Sequence, residues 1–362
     1  MKVAILADSI DKRVIKGGEA VYTFNLIKGL SDKKIDVTLL YTDLPAISSY
    51  ENFKKVSYRI MGMPLINYSI KNKLINYSAR KYDVLHATTN YGMPAGKSRA
   101  KKIITLHDVG PLVYPHFYHP YTVNKFIHEI PQILKNVDAI ITVSIFQKNE
   151  IIKYYKYLNE KIYVIYPGVD TNIFQKTDKP RLIPEDYILL SGGLNPRKGL
   201  NYIIDAIQLL GNKIPHKVYT IGDPNRENNE VRSKIDKYKL KDRIIIKEYV
   251  DTCEDLVNLY SYASLFVYPS LYEGFGLPPL EAMACGCPVI TSNNTSLTEI
   301  YTGTTLTIDP SDTIDLSNKI YDVLTNKTLR DDLMSKGYKF INQFKWEYNV
   351  EKTINLYNDL LC

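Results

Sequence analysis

Short runs of β-branched residues alternate with amphipathic stretches along most of the chain, and this alternation restricts the fold more than any other feature of the sequence. Strands of the first half are predicted at Val3–Ala7, Val37–Thr42, Val56–Ile60, Val84–Ala87, Ile103–Leu106, Ala139–Val143 and Ile162–Tyr166. Helices are predicted between them, among others at Glu19–Leu30, Asn124–Asn136 and Gln147–Tyr157. Strands that are separated by helices form parallel sheets covered on both faces. The pattern predicts an α/β fold with a doubly wound sheet.

The same alternation begins again after residues 169–184, whose Pro, Asp and Thr residues predict a linker. Strands of the second half are predicted at Tyr187–Leu190, Val218–Ile221, Ile244–Lys247, Leu265–Tyr268, Val289–Thr291 and Leu306–Ile308. We therefore predict two doubly wound, Rossmann-like domains, 1–168 and 185–345, with the C-terminal helix 346–362 packing back on the first. Ligands of such sheets bind beyond the carboxyl ends of the strands, so a cleft between the two facing domains is the expected site.

Composition agrees with this organisation. A chain of 362 residues has room for two domains, and 45% hydrophobic with 23% charged residues excludes wholesale disorder. No apolar run approaches the roughly 18 residues that cross a bilayer. The four cysteines form no CxxC pair, so neither a disulfide framework nor a zinc site is predicted. A reduced, cytoplasmic protein is the expectation.

The net charge of +7 is concentrated in residues 52–82, which contain seven basic residues and no acidic one. These residues are Lys54, Lys55, Arg59, Lys71, Lys73, Arg80 and Lys81. A basic helix rich in Ile, Leu and Tyr could lie on an anionic membrane surface, or it could be a solvated face whose other side packs in the core. Both interpretations stay open. Nucleic acid is not predicted as a partner, because the rest of the chain is electrically balanced.

Two glycine turns, each placed between a predicted strand and a helix, suit the binding of an anion. The first contains Gly17 and Gly18, and the second contains Gly192 and Gly193 in Ser191-Gly-Gly-Leu-Asn-Pro-Arg-Lys-Gly199. Glycine lets a ligand approach the backbone, and a helix N-terminus attracts negative charge. In the second turn, the fork of Arg197 and the point charge of Lys198 could neutralise a diphosphate without a metal. The alternative in both cases is an ordinary solvated turn.

A denser motif runs from Tyr268 to Gly286 and contains Glu273 and Glu281, eight residues apart. Pro278 and Pro279 suit a first helical turn, which places Gly274, Phe275, Gly276 and Leu277 in the loop before the helix. Carboxylates accept hydrogen bonds from sugar hydroxyls, and the loop amides could donate to phosphate. The two carboxylates could instead be an acid/base pair for glycoside hydrolysis. A hydrolase, however, has no use for an anion site at 191–198.

His107 and Asp108 follow the predicted strand Ile103–Leu106, where the side chains of a doubly wound sheet reach the ligand. The alternative is a histidine at the edge of the core that is bonded to a backbone carbonyl. His86 has the same placement at the end of another strand, with less to support a role in chemistry.

In this order the segments resemble the family 4 retaining glycosyltransferases, which have the GT-B fold, and the likeness covers nearly the whole chain. It depends most on EGFGLPPLEAMACGCPVI from Glu273, on RKG at 197–199 and on YPGVD at 166–170. ATTNYGMP, TLHDVGPLVYP, TVSIFQKNEI and FKWE are most similar to the mannosyltransferase-like branch.

The resemblance implies a role for each motif. Glu273, with Gly274–Leu277, would bind the donor sugar, and Glu281 would bind the ribose of the nucleotide. Arg197 and Lys198, with Gly193, would hold the diphosphate, and Gly17–Gly18 would close over it from the other domain. His107, followed by Asp108, would stand beside the sugar ring at the reaction centre. Neither a metal nor a cofactor is implied.

The implied reaction moves a hexose from a nucleotide diphosphate sugar to a hydroxyl of a glycan or a lipid-linked acceptor, with retention of the anomeric configuration. GDP-mannose is the first expected donor and UDP-glucose the second. A nucleotide-sugar epimerase of GT-B type, a glycoside hydrolase and a non-catalytic basic protein at the membrane are the alternatives. The enzyme is expected to be cytoplasmic, and peripheral at the membrane face if residues 52–82 bind lipid.

Overall fold

The computed structural model of the chain describes residues 1–6, 17–41, 54–57, 68–223, 228–248, 250 and 252–362, without the side chains of 41, 54–57 and 68–71. In these ranges the chain divides into two compact units. The first unit is formed by Met1–Gly168 and Trp346–Cys362, and the second by Val169–Lys345.

The described part of the first unit contains a seven-stranded parallel sheet with the order β3-β2-β1-β4-β5-β6-β7. Its strands are Lys2–Leu6 (β1), Asp36–Tyr41 (β2), Lys54–Ser57 (β3), Val84–Ala87 (β4), Lys101–Leu106 (β5), Ala139–Thr142 (β6) and Ile162–Val164 (β7). The helices of this unit are Gly18–Asp32 (α1), Tyr68–Ala79 (α2), Gly110–Val113 (α3), Pro120–His128 (α4), Ile130–Lys135 (α5), Ile145–Tyr154 (α6) and Trp346–Leu361 (α14). Every strand predicted here overlaps an observed one, and the predicted ends Ala7, Thr42 and Ile60 lie outside the described residues.

The C-terminal helix α14 packs against α1 within the first unit. A Cβ atom on Gly29 would overlap the side chain of Val350, so the close approach of the two helices requires glycine at this position. His86 on β4 is fully buried, and its ring nitrogens lie 2.6 Å from the Tyr357 hydroxyl and 2.8 Å from the Thr105 hydroxyl. His86 therefore has a structural role, as a buried contact between the sheet and α14.

The single helix predicted at Asn124–Asn136 is wrong, because the structure has two helices there. α4 ends at His128 and α5 begins at Ile130. Pro131 has no N–H with which to continue the hydrogen bonding of α4. A new helix begins after Glu129, whose carbonyl accepts hydrogen bonds from the N–H groups of Gln132 and Ile133 at 3.0 and 3.1 Å.

The second unit contains, in its described residues, a six-stranded parallel sheet with the order β10-β9-β8-β11-β12-β13. Its strands are Tyr187–Ser191 (β8), Lys217–Gly222 (β9), Ile244–Glu248 (β10), Leu265–Tyr268 (β11), Val289–Ser292 (β12) and Leu306–Ile308 (β13). Its helices are Leu200–Leu210 (α7), Asn229–Lys237 (α8), Cys253–Tyr262 (α9), Leu277–Ala284 (α10), Thr295–Tyr301 (α11), Thr313–Thr325 (α12) and Lys327–Phe340 (α13). Residues 169–184 belong to this unit and contact α9, where the Asn258 side chain accepts from the N–H of Leu182 at 3.0 Å.

The strand orders place the candidate site. In each parallel sheet, successive strands are added first on one side of the first strand and then on its other side. The point of change lies between β1 and β4 in the first unit and between β8 and β11 in the second. Open α/β sheets bind ligands beyond the carboxyl ends of the strands at such a switch point. In the second unit, the two strands at this point lead directly into the Arg197–Lys198 turn and the Glu273 loop. These two segments, 75 residues apart in sequence, therefore meet at one edge of the sheet.

Candidate active site

The glycine turn that follows β8 lies against the end of β9. The N–H groups of Gly192 and Gly193 both donate to the carbonyl of Ile221, at 2.7 and 3.0 Å. Both glycines have positive φ, +120° and +56°. A Cβ on Gly193 would lie 3.0 Å from the Gly222 Cα, and one on Gly222 would overlap the Gly193 backbone. This packing requires glycine on both sides, and only the β8 side was recognised in the sequence.

A short 3-10 helix, Pro196–Lys198, follows the turn and presents the two cations. The Asn195 side chain caps it by accepting from the Arg197 N–H at 3.2 Å. Gly199 ends it with φ +75°, and a Cβ there would overlap the carbonyl of Pro269. Glycine at this position therefore lets the cation turn lie directly against the segment that follows β11.

Arg197 and Lys198 converge on one carboxylate. Lys198 Nζ lies 2.6 Å from Glu273 Oε1, and Arg197 Nη1 lies 3.3 Å from Glu273 Oε2. Arg197 also donates to the carbonyl of Tyr272. The three charged side chains are mostly buried, with exposed fractions of 16%, 15% and 9% for Arg197, Lys198 and Glu273. The cations predicted for a diphosphate and the carboxylate predicted for a sugar thus form one cluster.

The electrostatics of this cluster keep Glu273 ionised. Burial alone would raise the pKa of its carboxyl group. The charges of Lys198 and Arg197, with hydrogen bonds from Lys198 and Ser270, more than offset burial and lower the pKa to about 2. At neutral pH the group is a carboxylate, which can only accept hydrogen bonds.

Two hydroxyls at the end of β11 complete the cluster. Lys198 Nζ donates to the Tyr268 hydroxyl at 2.6 Å, and Ser270 Oγ donates to Glu273 Oε1. Both residues lie inside the motif that marks Glu273, but sequence analysis gave them no role. The signal was present, since they are hydroxyl residues directly at the carboxyl end of a buried strand.

The loop after Glu273 is held by α11. Ser296 Oγ lies 2.9 Å from the Glu273 carbonyl and 3.3 Å from the Phe275 carbonyl, and the Tyr301 hydroxyl donates to the carbonyl of Gly276. Gly276 has φ +92° and directly precedes α10. Ser296 and Tyr301 carried no signal in the sequence, because they contact the loop through backbone carbonyls.

Glu281 lies on α10 in a different environment. Its Oε2 accepts a hydrogen bond from the Tyr260 hydroxyl at 3.0 Å, and the residue is 8% exposed. Burial raises the pKa of Glu281 to about 7, and the hydrogen bond from Tyr260 only partly opposes this effect. The two glutamates thus differ in charge balance: Glu273 has two cations beside it, whereas Glu281 has a neutral hydroxyl.

In the first unit, His107 is fixed by backbone and side-chain contacts at the end of β5. Its N–H donates to Asn90 Oδ1 at 2.8 Å, and its Nε2 lies 2.8 Å from the carbonyl of Thr88. Since a carbonyl only accepts, Nε2 carries a proton and donates it to this contact. A hydrogen bond to a backbone carbonyl is the contact expected of a histidine at the edge of the core. It orients the ring through Nε2 and does not involve Nδ1. Asp108 Oδ1 accepts from the Gly110 N–H at 2.9 Å.

Gly17 and Gly18 stand at the exposed start of α1. Gly17 has φ +88°, and a Cβ on either glycine would meet no described atom within 4 Å. Packing within the described part of the first unit therefore does not explain glycine at position 18. Glu19 follows them near His107 and Asp108; burial raises the pKa of Glu19, an effect that His107 opposes and Asp108 reinforces.

The basic stretch 52–82 is partly described. Lys73, Arg80 and Lys81 are exposed on α2 and just after it, and Ile75 and Ala79 are buried on the other side of that helix. Arg59 and the side chains of Lys54, Lys55 and Lys71 lie outside the description. Among the described helices none is long and apolar enough to cross a membrane. The same residue ranges show no group of three or more His, Cys, Asp or Glu side chains that could hold a metal.

Comparison with known proteins defines the class. Residues 16–173 match the family model described as Glycosyltransferase Family 4, and residues 173–340 match that of Glycosyl transferases group 1. The O-antigen chain mannosyltransferase B of Escherichia coli is 32% identical over 296 residues, 78% of this chain and 76% of that protein. The serotype-specific mannosyltransferase WbdA of Escherichia coli is 26% identical over 285 residues, 74% of this chain but only 35% of that longer protein.

The fold agrees with these matches. A crystal structure of Anabaena Alr3699/HepE in complex with UDP-glucose superposes with a TM-score of 0.78 at 18% identity, covering 99% of this chain and 100% of that one. The molecule is an α/β glycosyltransferase of the GT-B type. The chain belongs to glycosyltransferase family 4, and the predicted resemblance to its mannosyltransferase-like branch is confirmed. The epimerase and hydrolase alternatives are not favoured by these relatives.

Proposed function

We propose that this enzyme transfers a hexose from a nucleotide diphosphate sugar to a hydroxyl of a glycan or lipid-linked acceptor, with retention of configuration and without a metal. The observation that carries the proposal is the convergence of Arg197 and Lys198 on Glu273 at the switch point of the second sheet. Two cations and a carboxylate at one edge offer partners for a diphosphate and for an adjacent sugar hydroxyl.

The chemistry of transfer needs such cations. As the bond between C1 and the phosphate oxygen breaks, negative charge grows on the leaving diphosphate, and Arg197 and Lys198 stabilise it in a mostly buried site. The acceptor oxygen bonds to C1 on the same face, and its proton passes to the departing phosphate oxygen. Atoms and charge balance in this step without a general base from the protein. The two cations supply the positive charge that a metal would otherwise provide.

A bound donor would divide the two cations between Glu273 and the diphosphate. In the structure both cations contact Glu273. In the donor complex they turn part of their charge to the diphosphate, and Glu273 accepts hydrogen bonds from hydroxyls of the sugar. Glu281, which has a neutral partner in Tyr260, accepts from the ribose of the nucleotide.

GDP-mannose is the first proposed donor, because two relatives in sequence, the O-antigen chain mannosyltransferase B and WbdA, are named as mannosyltransferases. UDP-glucose is the second, because the structural relative HepE binds it. The roles of His107 and Asp108 beside the sugar ring, and of Gly17–Gly18 at the donor, rest on the family resemblance. The first unit is proposed to take the acceptor, at the membrane face if residues 52–82 bind lipid.

A panel of nucleotide sugars tests the proposal. The enzyme is incubated with GDP-mannose, UDP-glucose, GDP-glucose or UDP-N-acetylglucosamine and with alkyl mannosides or glucosides as acceptors, in the presence of EDTA. We expect release of a nucleoside diphosphate, and an α-glycoside in the product NMR spectrum. A β-linked product or an epimerised donor would overturn the proposal. So would the absence of calorimetric binding of both GDP and UDP, a result that does not depend on the acceptor chosen.

A further inference from the structure

Two buried hydroxyls stand behind the cation–carboxylate cluster, one at the last residue of β11 and one two residues later. Tyr268 is 1% exposed and Ser270 is 0% exposed. The Tyr268 hydroxyl accepts from Lys198 Nζ at 2.6 Å, and burial together with the charge of Glu273 raises the pKa of Tyr268. Ser270 Oγ donates to Glu273 Oε1 and lies 3.1 Å from the carbonyl of Arg197. Tyr268 thus contacts a cation of the cluster, and Ser270 contacts both the carboxylate and the segment that carries the cations.

These contacts matter most when the donor is bound. Glu273 is buried, and a buried carboxylate is costly unless charges or hydrogen-bond donors surround it. Once Arg197 and Lys198 share their charge with a diphosphate, the carboxylate loses part of that compensation. Ser270 is a neutral donor fixed just after the end of a strand, and its hydrogen bond to Glu273 does not depend on the charge of the two cations.

The Tyr268 hydroxyl also fixes the position of the Lys198 ammonium group. Lysine is a flexible side chain with a point charge, and it holds a defined position only through its partners. Lys198 Nζ lies 4.8 Å from the centre of the Tyr268 ring as well as 2.6 Å from its hydroxyl. The ring and the hydroxyl therefore hold the ammonium group at the edge of the sheet whether or not Glu273 keeps its hydrogen bond.

We propose that Tyr268 and Ser270 are positioning residues of the transfer reaction, Tyr268 by holding Lys198 Nζ and Ser270 by holding the Glu273 carboxylate. This assignment rests on the proposed function of the same site. Neither side chain contacts the reacting atoms. Their effect reaches the reaction through the cation and the carboxylate.

Tyr268→Phe removes one oxygen and keeps the ring beside Lys198. A hydrogen bond to a charged group lost in the transition state lowers the rate about tenfold or more. We expect kcat to fall by about this factor, with a smaller change in KM for the donor. The matched control is Tyr187→Phe, in which the lost hydroxyl is also buried and donates to a carbonyl, that of Leu259, at 2.7 Å. The control should keep kcat.

A double-mutant cycle separates positioning from a merely structural role. If Tyr268 acts through Lys198, then Tyr268→Phe should lower kcat about tenfold in the wild-type enzyme and less than about twofold in a Lys198→Ala background. Equal effects in the two backgrounds, or full kcat in Tyr268→Phe, would overturn the role of Tyr268.

Ser270→Ala is the second variant and keeps the proposal testable if Tyr268→Phe does not fold. It should also lower kcat about tenfold, and its effect should largely disappear in a Glu273→Gln background. Unchanged kcat in Ser270→Ala, or an equal loss with Gln at 273, would overturn the role of Ser270. The proposed function fails separately: in that case the wild-type enzyme transfers no sugar, or Lys198→Ala is as active as the wild type.

Discussion

Glu273 and Glu281 bring the same functional group into opposite environments only eight residues apart. Two cations beside Glu273 lower its pKa to about 2, whereas burial beside the Tyr260 hydroxyl raises the pKa of Glu281 to about 7. One carboxyl group is charged throughout the physiological range, and the other changes its charge within that range. Stability and kinetics should therefore respond differently to the removal of each charge.

The stability of the wild-type protein should depend on pH through Glu281. The folded protein holds a proton on this group that the unfolded chain releases near its ordinary pKa of 4.5. The stabilising contribution is complete below pH 4.5 and is lost as pH rises through about 7, by about 3 kcal/mol in total. In thermal melts, Glu281→Gln should gain in Tm relative to the wild type between pH 5 and pH 8. A Tm difference that stays constant over this range would contradict the raised pKa.

Glu273 should show the opposite trend. Its pKa is lowered, so its contribution to stability is present above about pH 4.5 and is lost as pH falls toward about 2. Glu273→Gln should therefore be most destabilising near pH 7, where it leaves two cations without their carboxylate. The same melts measured down to pH 3 should show the variant and the wild type converging. A difference in Tm between the variant and the wild type that increases as the pH falls would contradict the lowered pKa of Glu273.

Kinetics should separate the two glutamates as well. A contact with ribose is equally strong in the ground state and the transition state, so Glu281→Gln should mainly raise KM for the donor. A contact with the sugar strengthens as the ring gains positive charge, so Glu273→Gln should mainly lower kcat. Steady-state rates over a range of donor concentrations measure both. Identical changes in KM and kcat for the two variants would remove the basis for their distinct roles.

At the scale of elements, the site depends on how closely the turn after β8 lies against the end of β9. Gly222 has no positive φ, and its requirement for glycine comes from the Gly193 backbone that a Cβ would overlap. Gly211 is the reverse case, with φ +52° and open space around a Cβ. The two positions distinguish a steric requirement from a conformational one.

Gly222→Ala should displace the turn that carries Arg197 and Lys198. We expect nucleotide affinity to fall at least tenfold, because the backbone at Gly193 must move to admit the methyl group. Gly211→Ala is the control: at φ 52° and ψ -128° it should cost about 1–3 kcal/mol of stability, with nucleotide affinity unchanged. Titration calorimetry with the accepted nucleoside diphosphate measures both. Equal affinities in the two variants would show that the turn tolerates this displacement.

The sequence predicts the strands and the local motifs better than it predicts which residues contact one another in the fold. Runs of buried Val, Ile and Leu identify the strands, and Glu273 and Lys198 are visible within local motifs. That these two side chains meet depends on the strand order, which places β8 beside β11. Ser296 and Tyr301 act on backbone carbonyls, so no pattern of residue types marks them. The single helix predicted at Asn124–Asn136 is wrong because the helical spacing of its apolar residues was given more weight than the missing N–H of Pro131.

At the scale of the whole molecule, the excess of positive charge lies in the first unit, and the cluster of Arg197, Lys198 and Glu273 lies in the second. Binding to anionic vesicles should rise with the anionic lipid content and fall with salt, since each exposed cation near such a surface contributes about 1 kcal/mol. Replacing Lys71, Lys73, Arg80 and Lys81 by Gln should weaken this binding without changing nucleotide affinity.

The control for this prediction removes the same charge from the second unit. It replaces four other lysines by Gln, namely Lys213, Lys237, Lys241 and Lys327, all exposed in the structure. Vesicle sedimentation should distinguish the two quadruple variants. Equal binding to neutral and anionic vesicles, or equal loss in both variants, would assign residues 52–82 to ordinary solvated surface.

The central claim is that Arg197 and Lys198 stabilise the leaving diphosphate, and transfer rates of single variants test it most directly. Arg197→Ala and Lys198→Ala should each lower kcat about a hundredfold or more, since the loss of such a group costs on the order of 3 kcal/mol in the transition state. Arg197→Lys should recover part of the rate, and Lys213→Ala, which removes an exposed cation of the same unit, should keep it. Full activity of both alanine variants with an accepted donor would contradict the account.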